Sequence, residues 1–460
     1  MTTDLGAIDL TDLDRFAHGF PHETFTVLRR EAPVWWHPPT DHTPDGEGFW
    51  SVHTHAECLE VLHDPATYSS VTGGDRPYGG TTIPDLPVAG LMLNMMDDPR
   101  HQRVRLLVSK GLTARRIARL EGELRRRTER LVDAALERRE VDFVAAVAGE
   151  LPMQAICILL GIPEDDRHRL FGWIEHSFDF RGDREAFETD EATARAAAEM
   201  FDYGRRLIEH KRAHPADDML SVVCSARLPG LEPDHLLDDE LQFFFSLLWA
   251  AGADTTRNAI AGAMVAFTQF PGELARLRAD RSLMPTAVEE IVRWTHPAAY
   301  NRRTATRDTE LRGCPIRAGD KVVFWEASAN RDESVFADPF RFDVGRDPNP
   351  HLGFGHGVHH CLGANLARLE IRVVLDVLLD RVASFTPTGP VEWTRSNKHT
   401  GIRRLPLALV AALTPVTRRR AAPRSRRARR AARSPNRPRA APRPAGRRAG
   451  TAPGRRPGAR

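Results

Sequence analysis

Phe354-Gly-His-Gly-Val-His-His-Cys361-Leu-Gly363, near the C-terminal end, is the most informative stretch of this chain. It has the pattern F-G-x-G-x-H-x-C-x-G and leads into a helical pattern over residues 362–379. Gly355 and Gly363 allow tight turns and a close backbone approach to a flat ligand. Cys361 is placed at a helix N-terminus, where unpaired N–H groups and the helix dipole favour a thiolate. The stretch presents either such a thiolate or, as with most free cysteines, a buried structural residue.

The fixed positions of this pattern resemble the haem-binding signature of the cytochrome P450 family. The resemblance implies a mainly α-helical fold with small β-sheets, built as a single large domain. It also implies haem b (heme b, iron protoporphyrin IX) between a long distal helix and the helix after the cysteine, with Cys361 as the iron ligand. A thiolate in that position pushes electron density onto haem iron and favours O–O cleavage. Phe354, Gly355 and Gly363 are then expected to contact the haem.

A second pattern lies earlier, in one long predicted helix over residues 238–270. We expect Ala251-Gly-Ala-Asp-Thr-Thr256 to interrupt that helix, because glycine and adjacent threonines weaken helices. Asp254 and Thr255 form an acid–alcohol pair suited to relaying protons. By itself the pattern indicates helix packing beside a solvated aspartate. It also resembles the distal-helix motif A-G-x-D-T-T of the same family, which implies that Asp254 and Thr255 are catalytic and that Ala251 lies beside the haem.

Glu290-Ile-Val-Arg293 has the pattern E-x-x-R. Such an i, i+3 pair on a helix surface is worth only a few tenths of a kcal/mol. The family resemblance implies instead a buried structural ion pair, with Arg346 at the end of Phe336-x-x-Pro-x-x-Phe-Asp-x-x-Arg346 as its third member. In that interpretation the three residues fix the segment that leads into the cysteine loop.

Four further residues are predicted to bind the two haem propionates, which need paired positive donors inside a protein. His101 and Arg105 lie four apart on a predicted helix, so both reach one face. They resemble the H-x-x-x-R element of the family. Arg303 in a predicted strand and His359 in the cysteine loop complete the set of cations. Because Arg302 precedes Arg303, that assignment is ambiguous by one residue.

The resemblance also suggests which residues face the substrate. These are Met92, Leu93, Leu247, Ala250, Pro297, Ala298 and Ala299, together with Ala251. The alanines leave room for a bulky apolar ligand. Two runs, over residues 303–311 and 329–332, resemble actinobacterial members that act on sterols, terpenoids and branched lipids. Oxidative coupling of a natural-product intermediate in secondary metabolism, a peroxygenase and a haem-binding sensor remain as alternatives.

The sequence contains no H-E-x-x-H, no Walker loop and no G-x-G-x-x-G motif, so no module for NAD(P)H or flavin is recognisable. Electrons are therefore expected from a separate ferredoxin or flavodoxin with its NAD(P)H reductase, and O2 is the expected oxidant. The five scattered cysteines form no disulfide framework and suit a reducing cytoplasm. Neither a signal peptide nor a transmembrane anchor is predicted.

Charge is distributed unevenly along the chain. Residues 418–460 contain 17 arginines and no acidic residue, which leaves 48 basic and 62 acidic residues elsewhere, a formal charge of −14. We therefore predict a monooxygenase domain over residues 1–416 and a disordered basic tail over residues 417–460. The tail lacks aromatic residues for base stacking, so nucleic-acid binding is not favoured.

Overall fold

The computed structural model describes residues 4–167, 169–170, 172–173, 191–228 and 234–413. The predicted tail over residues 417–460 lies outside the described residues. The described α-helices are α1 (His22–Glu31), α2 (His55–His63), α3 (Arg100–Ser109), α4 (Ala114–Arg138), α5 (Glu150–Leu160), α6 (Glu191–Ala213), α7 (Met219–Cys224), α8 (Asp238–Gln269), α9 (Pro271–Ala279), α10 (Met284–Thr295), α11 (Glu326–Ala329) and α12 (Ala364–Arg381).

The strands are short and form separate small sheets. They are β1 (Val34–His37), β2 (Phe49–Val52), β3 (Tyr68–Ser69), β4 (Glu140–Asp142), β5 (Asn301–Ala305), β6 (Thr309–Leu311), β7 (Cys314–Ile316), β8 (Lys321–Phe324), β9 (Val382–Pro387), β10 (Glu392–Trp393), β11 (Ile402–Arg404) and β12 (Pro406–Ala411). The largest sheet has the order β1-β2-β8-β5-β3, in which only the β2–β8 pair is parallel. A three-stranded sheet has the order β4-β12-β9.

Helix α8 runs through the main hydrophobic core. It begins with Asp238, Asp239 and Glu240, whose negative charges suit the positive end of the helix dipole. The Glu240 carboxylate also accepts the Leu237 N–H at 2.8 Å and caps the helix start. The helix ends before Pro271, which begins α9. Helices α5, α6, α10 and α12 pack against α8, so most of its length is buried.

The predicted mainly α-helical fold with small β-sheets is confirmed. Among the described residues, no helix is both long and apolar enough to span a membrane. The motif over residues 251–256 lies on α8. The cysteine motif lies in the loop between α11 and α12 and leads into α12.

Candidate functional site

A cavity of about 340 Å³ separates α8 from the glycine-rich loop before α12. The loop contributes Phe354, Gly355, Cys361, Leu362 and Gly363 to its wall. Helix α8 contributes Leu247, Leu248, Ala251, Gly252, Thr255, Thr256 and Ala259. The two motifs lie far apart in the sequence but line the same cavity. Most of the α8 side chains in the cavity wall are apolar.

The cysteine loop is closed by its own backbone. The Cys361 N–H donates to the Phe354 carbonyl at 2.7 Å, which brings the two ends of the motif together. Gly355 and Gly357 have φ values of 64° and 67°, a region that favours glycine. A Cβ atom on Gly357 would lie 2.6 Å from the Leu62 carbonyl oxygen. Glycine is therefore required for the loop to pack on the end of α2.

The Cys361 thiol is open to the cavity but surrounded by protein. Burial raises the pKa of this thiol, and the backbone N–H groups of Gly363 and Ala364 and the guanidinium groups of Arg105 and Arg368 lower it by less. The backbone N–H groups at the helix start therefore favour the thiolate as expected, but desolvation outweighs them. A coordinated metal ion deprotonates such a thiol outright.

On the opposite wall, Thr255 faces the cavity while Asp254 lies behind it. The Asp254 side chain is 2% exposed, and its Oδ1 accepts a hydrogen bond from Asn258 Nδ2 at 2.9 Å. Its Oδ2 has no hydrogen-bond partner among the described residues. The acid and the alcohol are therefore consecutive on the helix but point in different directions, and one oxygen of the carboxylate has no hydrogen-bond partner in the described part of the chain.

The expected interruption of α8 is not observed, since residues 238–269 form one continuous helix. The Thr255 hydroxyl donates to the Ala251 carbonyl at 2.9 Å, a bond that a helix interior accommodates. Gly252 costs about 1 kcal/mol in helix propensity. Glycine nevertheless allows α8 and α5 to pack closely here, because a Cβ atom at position 252 would lie 2.9 Å from Ile156 Cδ1 on α5. Burial of the long helix outweighs the weak local sequence.

His101, Arg105, Arg303 and His359 all line the cavity. The rings of His101 and His359 are 4.1 Å apart. Burial lowers the pKa of both histidines, that of His359 to about 2, so they are neutral donors at neutral pH. The four residues predicted to bind the propionates therefore lie together in the cavity wall, as two arginines and two imidazoles.

Strand β5 separates the two arginines that the sequence left ambiguous. Successive side chains of a strand point to opposite faces. Arg303 reaches the cavity, whereas Arg302 pairs with Asp85 at 2.6 Å on the other face. Burial lowers the pKa of Arg303 to about 10.

These side chains fit the carboxylates of a haem. Among the residues that the structure describes, neither Arg105 nor Arg303 forms an ion pair with a carboxylate. His101 is 1% exposed, and its Nε2 has no hydrogen-bond partner in the described part of the chain. Buried charges and polar groups are normally paired. A ligand that brings two carboxylates into the cavity, opposite a cysteine sulfur, supplies the missing partners.

Glu290 and Arg293 are 0% exposed and joined by two hydrogen bonds of 2.7 and 2.8 Å. Arg346 Nε lies 3.2 Å from Glu290 Oε2, and the Asp343 N–H donates to Glu290 Oε1 at 2.9 Å. Arg293 also donates to the carbonyls of Asn330 and Pro339. The group therefore connects α10 to the segment after α11 that leads into the cysteine loop.

Five of the eight predicted substrate positions line the cavity, namely Leu93, Leu247, Ala251, Pro297 and Ala298. Met92, Ala250 and Ala299 are not among its lining residues. Ala299 is 1% exposed and donates its N–H to the Lys398 carbonyl, so it is buried outside the cavity wall. These three residues remain predictions without a cavity contact in the structure.

Sequence reasoning missed Asn301, Glu326 and Asn258. Asn301 and Glu326 line the cavity. The available signal for Glu326 was a lone acid that directly follows the apolar run over residues 322–325, a position where burial is expected. Asn258 donates to Asp254, and its Oδ1 accepts the Ile402 N–H at 3.1 Å. It was detectable as the residue four positions after Asp254 on the same helix face.

Comparisons with known proteins indicate the same family as the two motifs that line the cavity. The family model described as cytochrome P450 matches residues 187–406. A Mycobacterium tuberculosis protein named "Putative cytochrome P450 126" is 59% identical over 411 residues, which are 89% of this chain and 99% of that protein. The methyl-branched lipid omega-hydroxylase of M. tuberculosis is 40% identical over 88% of this chain and 94% of its own length.

A solved structure supports the same similarity in three dimensions. The Mycobacterium marinum cytochrome P450 CYP268A2, solved in complex with pseudoionone, superposes with a TM-score of 0.77 at 36% sequence identity. The superposition covers 84% of this chain and 94% of that protein.

Proposed function

Because the chain belongs to the cytochrome P450 family and is therefore a haem-thiolate monooxygenase, we propose that it hydroxylates a bulky apolar substrate with electrons from a separate protein. The observation that carries this proposal is the cavity itself. Cys361 lies on one wall and Thr255 on the other, with Asp254 behind Thr255, and the remaining wall is mainly apolar. Residues 1–416 are assigned to this activity, and residues 417–460 are proposed to be dispensable for it.

In this proposal Cys361 binds the iron of haem b, and Phe354, Gly355, Gly363 and Ala251 contact the cofactor. His101, Arg105, Arg303 and His359 hold the propionates. When bound, the haem supplies the activation of O2 and the oxidation of the substrate. The protein supplies the thiolate, the orientation of the cofactor and an enclosure that excludes water.

The distal residues are proposed to control protons. Thr255 lines the cavity, and its hydroxyl, which donates to the Ala251 carbonyl at 2.9 Å, is the group from which a proton is delivered. Asp254 exchanges that proton through Oδ2, while Asn258 holds Oδ1 and fixes the carboxylate orientation. General acid–base groups of this kind contribute roughly 10²–10⁴-fold to a rate. The buried group of Glu290, Arg293 and Arg346 has a structural role in the proposal.

The proposed substrate class is a branched lipid, a steroid or a terpenoid. Small side chains at Ala251, Gly252 and Ala298 leave space above the cysteine. Relatives named a methyl-branched lipid omega-hydroxylase and a steroid C26-monooxygenase, the latter 37% identical, support this class. Leu93, Leu247 and Pro297 supply apolar contacts in the cavity wall.

The electron donor is proposed to be a ferredoxin or flavodoxin that is reduced by its own NAD(P)H reductase. The absence of a recognisable nucleotide-binding motif in the sequence supports a separate donor. Cytoplasmic location is part of the same proposal and follows from the unpaired, scattered cysteines.

A spectral titration followed by product analysis tests the proposed substrate class. The purified protein is titrated with a methyl-branched fatty acid, a steroid with an intact side chain, an acyclic terpenoid ketone and a cyclic peptide. Binding is measured as a shift of the haem absorption, and hydroxylated product is then measured with a surrogate ferredoxin and reductase. Binding and hydroxylation of one of the first three compounds is expected. Turnover of the cyclic peptide alone would instead support oxidative tailoring of a natural product.

A further inference from the structure

Glu326 is a buried carboxyl group in the cavity wall, where it is 2% exposed. Asn301 Nδ2 donates to Glu326 Oε2 at 2.7 Å, and Lys398 Nζ donates to Asn301 Oδ1 at 3.1 Å. One amide therefore stands between a buried acid and an amine. Lys398 is further held by the carbonyl of Tyr300 and lies 4.5 Å from the centre of its ring.

The groups that face Glu326 come from several elements. They are Arg303 on β5, Lys398 before β11 and the Cys58 thiol on α2. Asp97 in turn lies close enough to Arg303 to interact with its charge. Burial raises the pKa of Glu326 to about 7, although Asn301, Lys398 and Arg303 lower it. Burial lowers the pKa of Lys398 to about 8. Desolvation thus outweighs the attraction of the two cations.

Haem binding adds negative charge beside this group. A propionate that pairs with Arg303 would offset the positive charge of its guanidinium group. Less positive charge would then remain to stabilise the Glu326 anion. Two propionates and Glu326 would place three carboxylates against Arg105, Arg303 and Lys398 in a buried space. Like charges in such a space favour the protonated form of the weakest acid.

We propose that Glu326 exchanges a proton with solvent near neutral pH in the haem-loaded protein, taking the proton up when the charge of the haem site falls and releasing it when that charge rises. This inference rests on the proposed pairing of a propionate with Arg303. Reduction adds one electron from the donor protein and lowers the charge of the site by one. The Glu326 carboxylate then takes one proton from solvent, so the two charges compensate. Glu326 affects the reaction only by compensating the charge of the haem site, so it is a positioning residue and not a catalytic residue.

The midpoint potential of the haem-loaded protein, measured between about pH 6 and pH 8.5, tests the proposal. A fully linked proton lowers the potential by about 59 mV per pH unit, which is a tenfold change in equilibrium constant for one electron. The wild-type potential is expected to fall with a slope approaching that value. Glu326→Gln, which keeps the shape of the side chain but cannot titrate, is expected to flatten the slope. Glu310→Gln, at an exposed glutamate on β6, is the control and should behave like the wild type.

Two further measurements separate the possible failures. Infrared spectra of the haem-loaded protein are expected to show the C=O band of a protonated carboxylic acid that Glu326→Gln removes. Lys398→Met removes a cation that lowers the pKa of Glu326, so it should move the pH-dependent region to higher pH. If Glu326→Gln keeps the wild-type slope of potential against pH and the infrared C=O band, the proposal for Glu326 is wrong. This conclusion leaves the proposed function intact when the carbon monoxide spectrum still shows thiolate-bound haem. Loss of that spectrum in the wild type would instead contradict the proposed function.

Discussion

At the scale of single residues, Cys361 is the position on which the proposed chemistry depends most. Reduced wild-type protein with carbon monoxide is expected to show the red-shifted Soret band of a thiolate-bound haem. Cys361→Ser should abolish that band, because a hydroxyl does not form the strong thiolate bond to iron. Cys314→Ser is the control, since Cys314 donates to the Val34 carbonyl in a small sheet away from the cavity. A normal band in Cys361→Ser would contradict the assignment.

Asp254 and Thr255 give a second prediction at this scale. Asp254→Asn should keep the fold, because its carbonyl oxygen can still accept the Asn258 hydrogen bond. Product formation should fall roughly 10²–10⁴-fold, the usual contribution of an acid–base group. Thr255→Ala is expected to consume electrons and to release hydrogen peroxide in place of product.

Thr268→Ala is the matched control for the threonine variant. Thr268 lies on the same helix and makes the same hydroxyl bond four residues back, to the Met264 carbonyl at 2.9 Å. It does not line the cavity. Product formed per electron, measured with a surrogate ferredoxin and reductase, should therefore fall in Thr255→Ala and stay unchanged in Thr268→Ala. Equal coupling in all variants would remove the proton-relay role of the α8 motif.

At the scale of elements, the link between α10 and the cysteine loop is expected to be essential for stability. Glu290→Ala leaves the buried Arg293 without a counter-charge, which typically costs about 3–5 kcal/mol. Little haem-loaded soluble protein is therefore expected from this variant. Asp202→Ala is the control, because Asp202 and Arg205 have the same i, i+3 spacing on the exposed face of α6. Its effect should stay within a few tenths of a kcal/mol. Denaturant unfolding and haem content measure both, and a stable Glu290→Ala protein would contradict a structural role.

His53, directly after β2, predicts how the stability of the protein depends on pH. His53 is buried, with Nδ1 2.9 Å from the Ala32 carbonyl and Nε2 2.8 Å from Ser51 Oγ, which in turn accepts the Trp325 indole N–H. These contacts suit a neutral ring that donates through Nδ1. Burial lowers the pKa of His53 from 6.5 to about 3. Below about pH 6.5 the unfolded chain therefore binds a proton that the folded protein does not.

The sign follows directly from this difference in proton binding. The stabilisation is fully present above about pH 6.5 and is lost as the pH falls towards 3, at about 1.4 kcal/mol per pH unit. His53→Gln should remove this contribution and reduce the steepness of acid denaturation. His42→Gln, at an exposed position, is the control. Denaturant unfolding at several pH values between about 5 and 7.5 measures the slope, and equal slopes for wild type and His53→Gln would contradict the assignment.

Comparison of the sequence with these elements shows which contacts could be anticipated. Local patterns sufficed for the cysteine loop and the bounds of α8, because turns and helix ends depend on neighbouring residues. Side-chain alternation in β5 decides between Arg302 and Arg303, but only once the strand is known to span Asn301–Ala305. The contact of Asn301 with Glu326 depends on the pairing of Asn301 with Phe324 between β5 and β8. Such a register is fixed by tertiary packing and leaves no local signal.

At the scale of the whole molecule, the chain combines an acidic body with a strongly basic C-terminal segment. A protein ending at residue 416 is expected to keep the haem content, the carbon monoxide spectrum and the turnover of the full chain. The physical reason is compositional, because residues 418–460 contain no aliphatic side chain larger than alanine apart from proline and arginine. Such a segment has too little apolar surface to contribute to a core.

The two proteins should nevertheless differ in one respect. The 17 arginines of residues 418–460 give the full chain a salt-dependent attraction to polyanions that the shorter protein lacks. Elution from an immobilised polyanion over a salt gradient measures this difference, with the shorter protein expected to elute first. A variant with every one of those arginines changed to glutamine is the control, because it keeps the length of the segment and removes its charge. If the shorter protein loses haem or turnover, the segment beyond residue 416 is required for haem binding or activity. The proposed domain boundary at residue 416 would then be wrong.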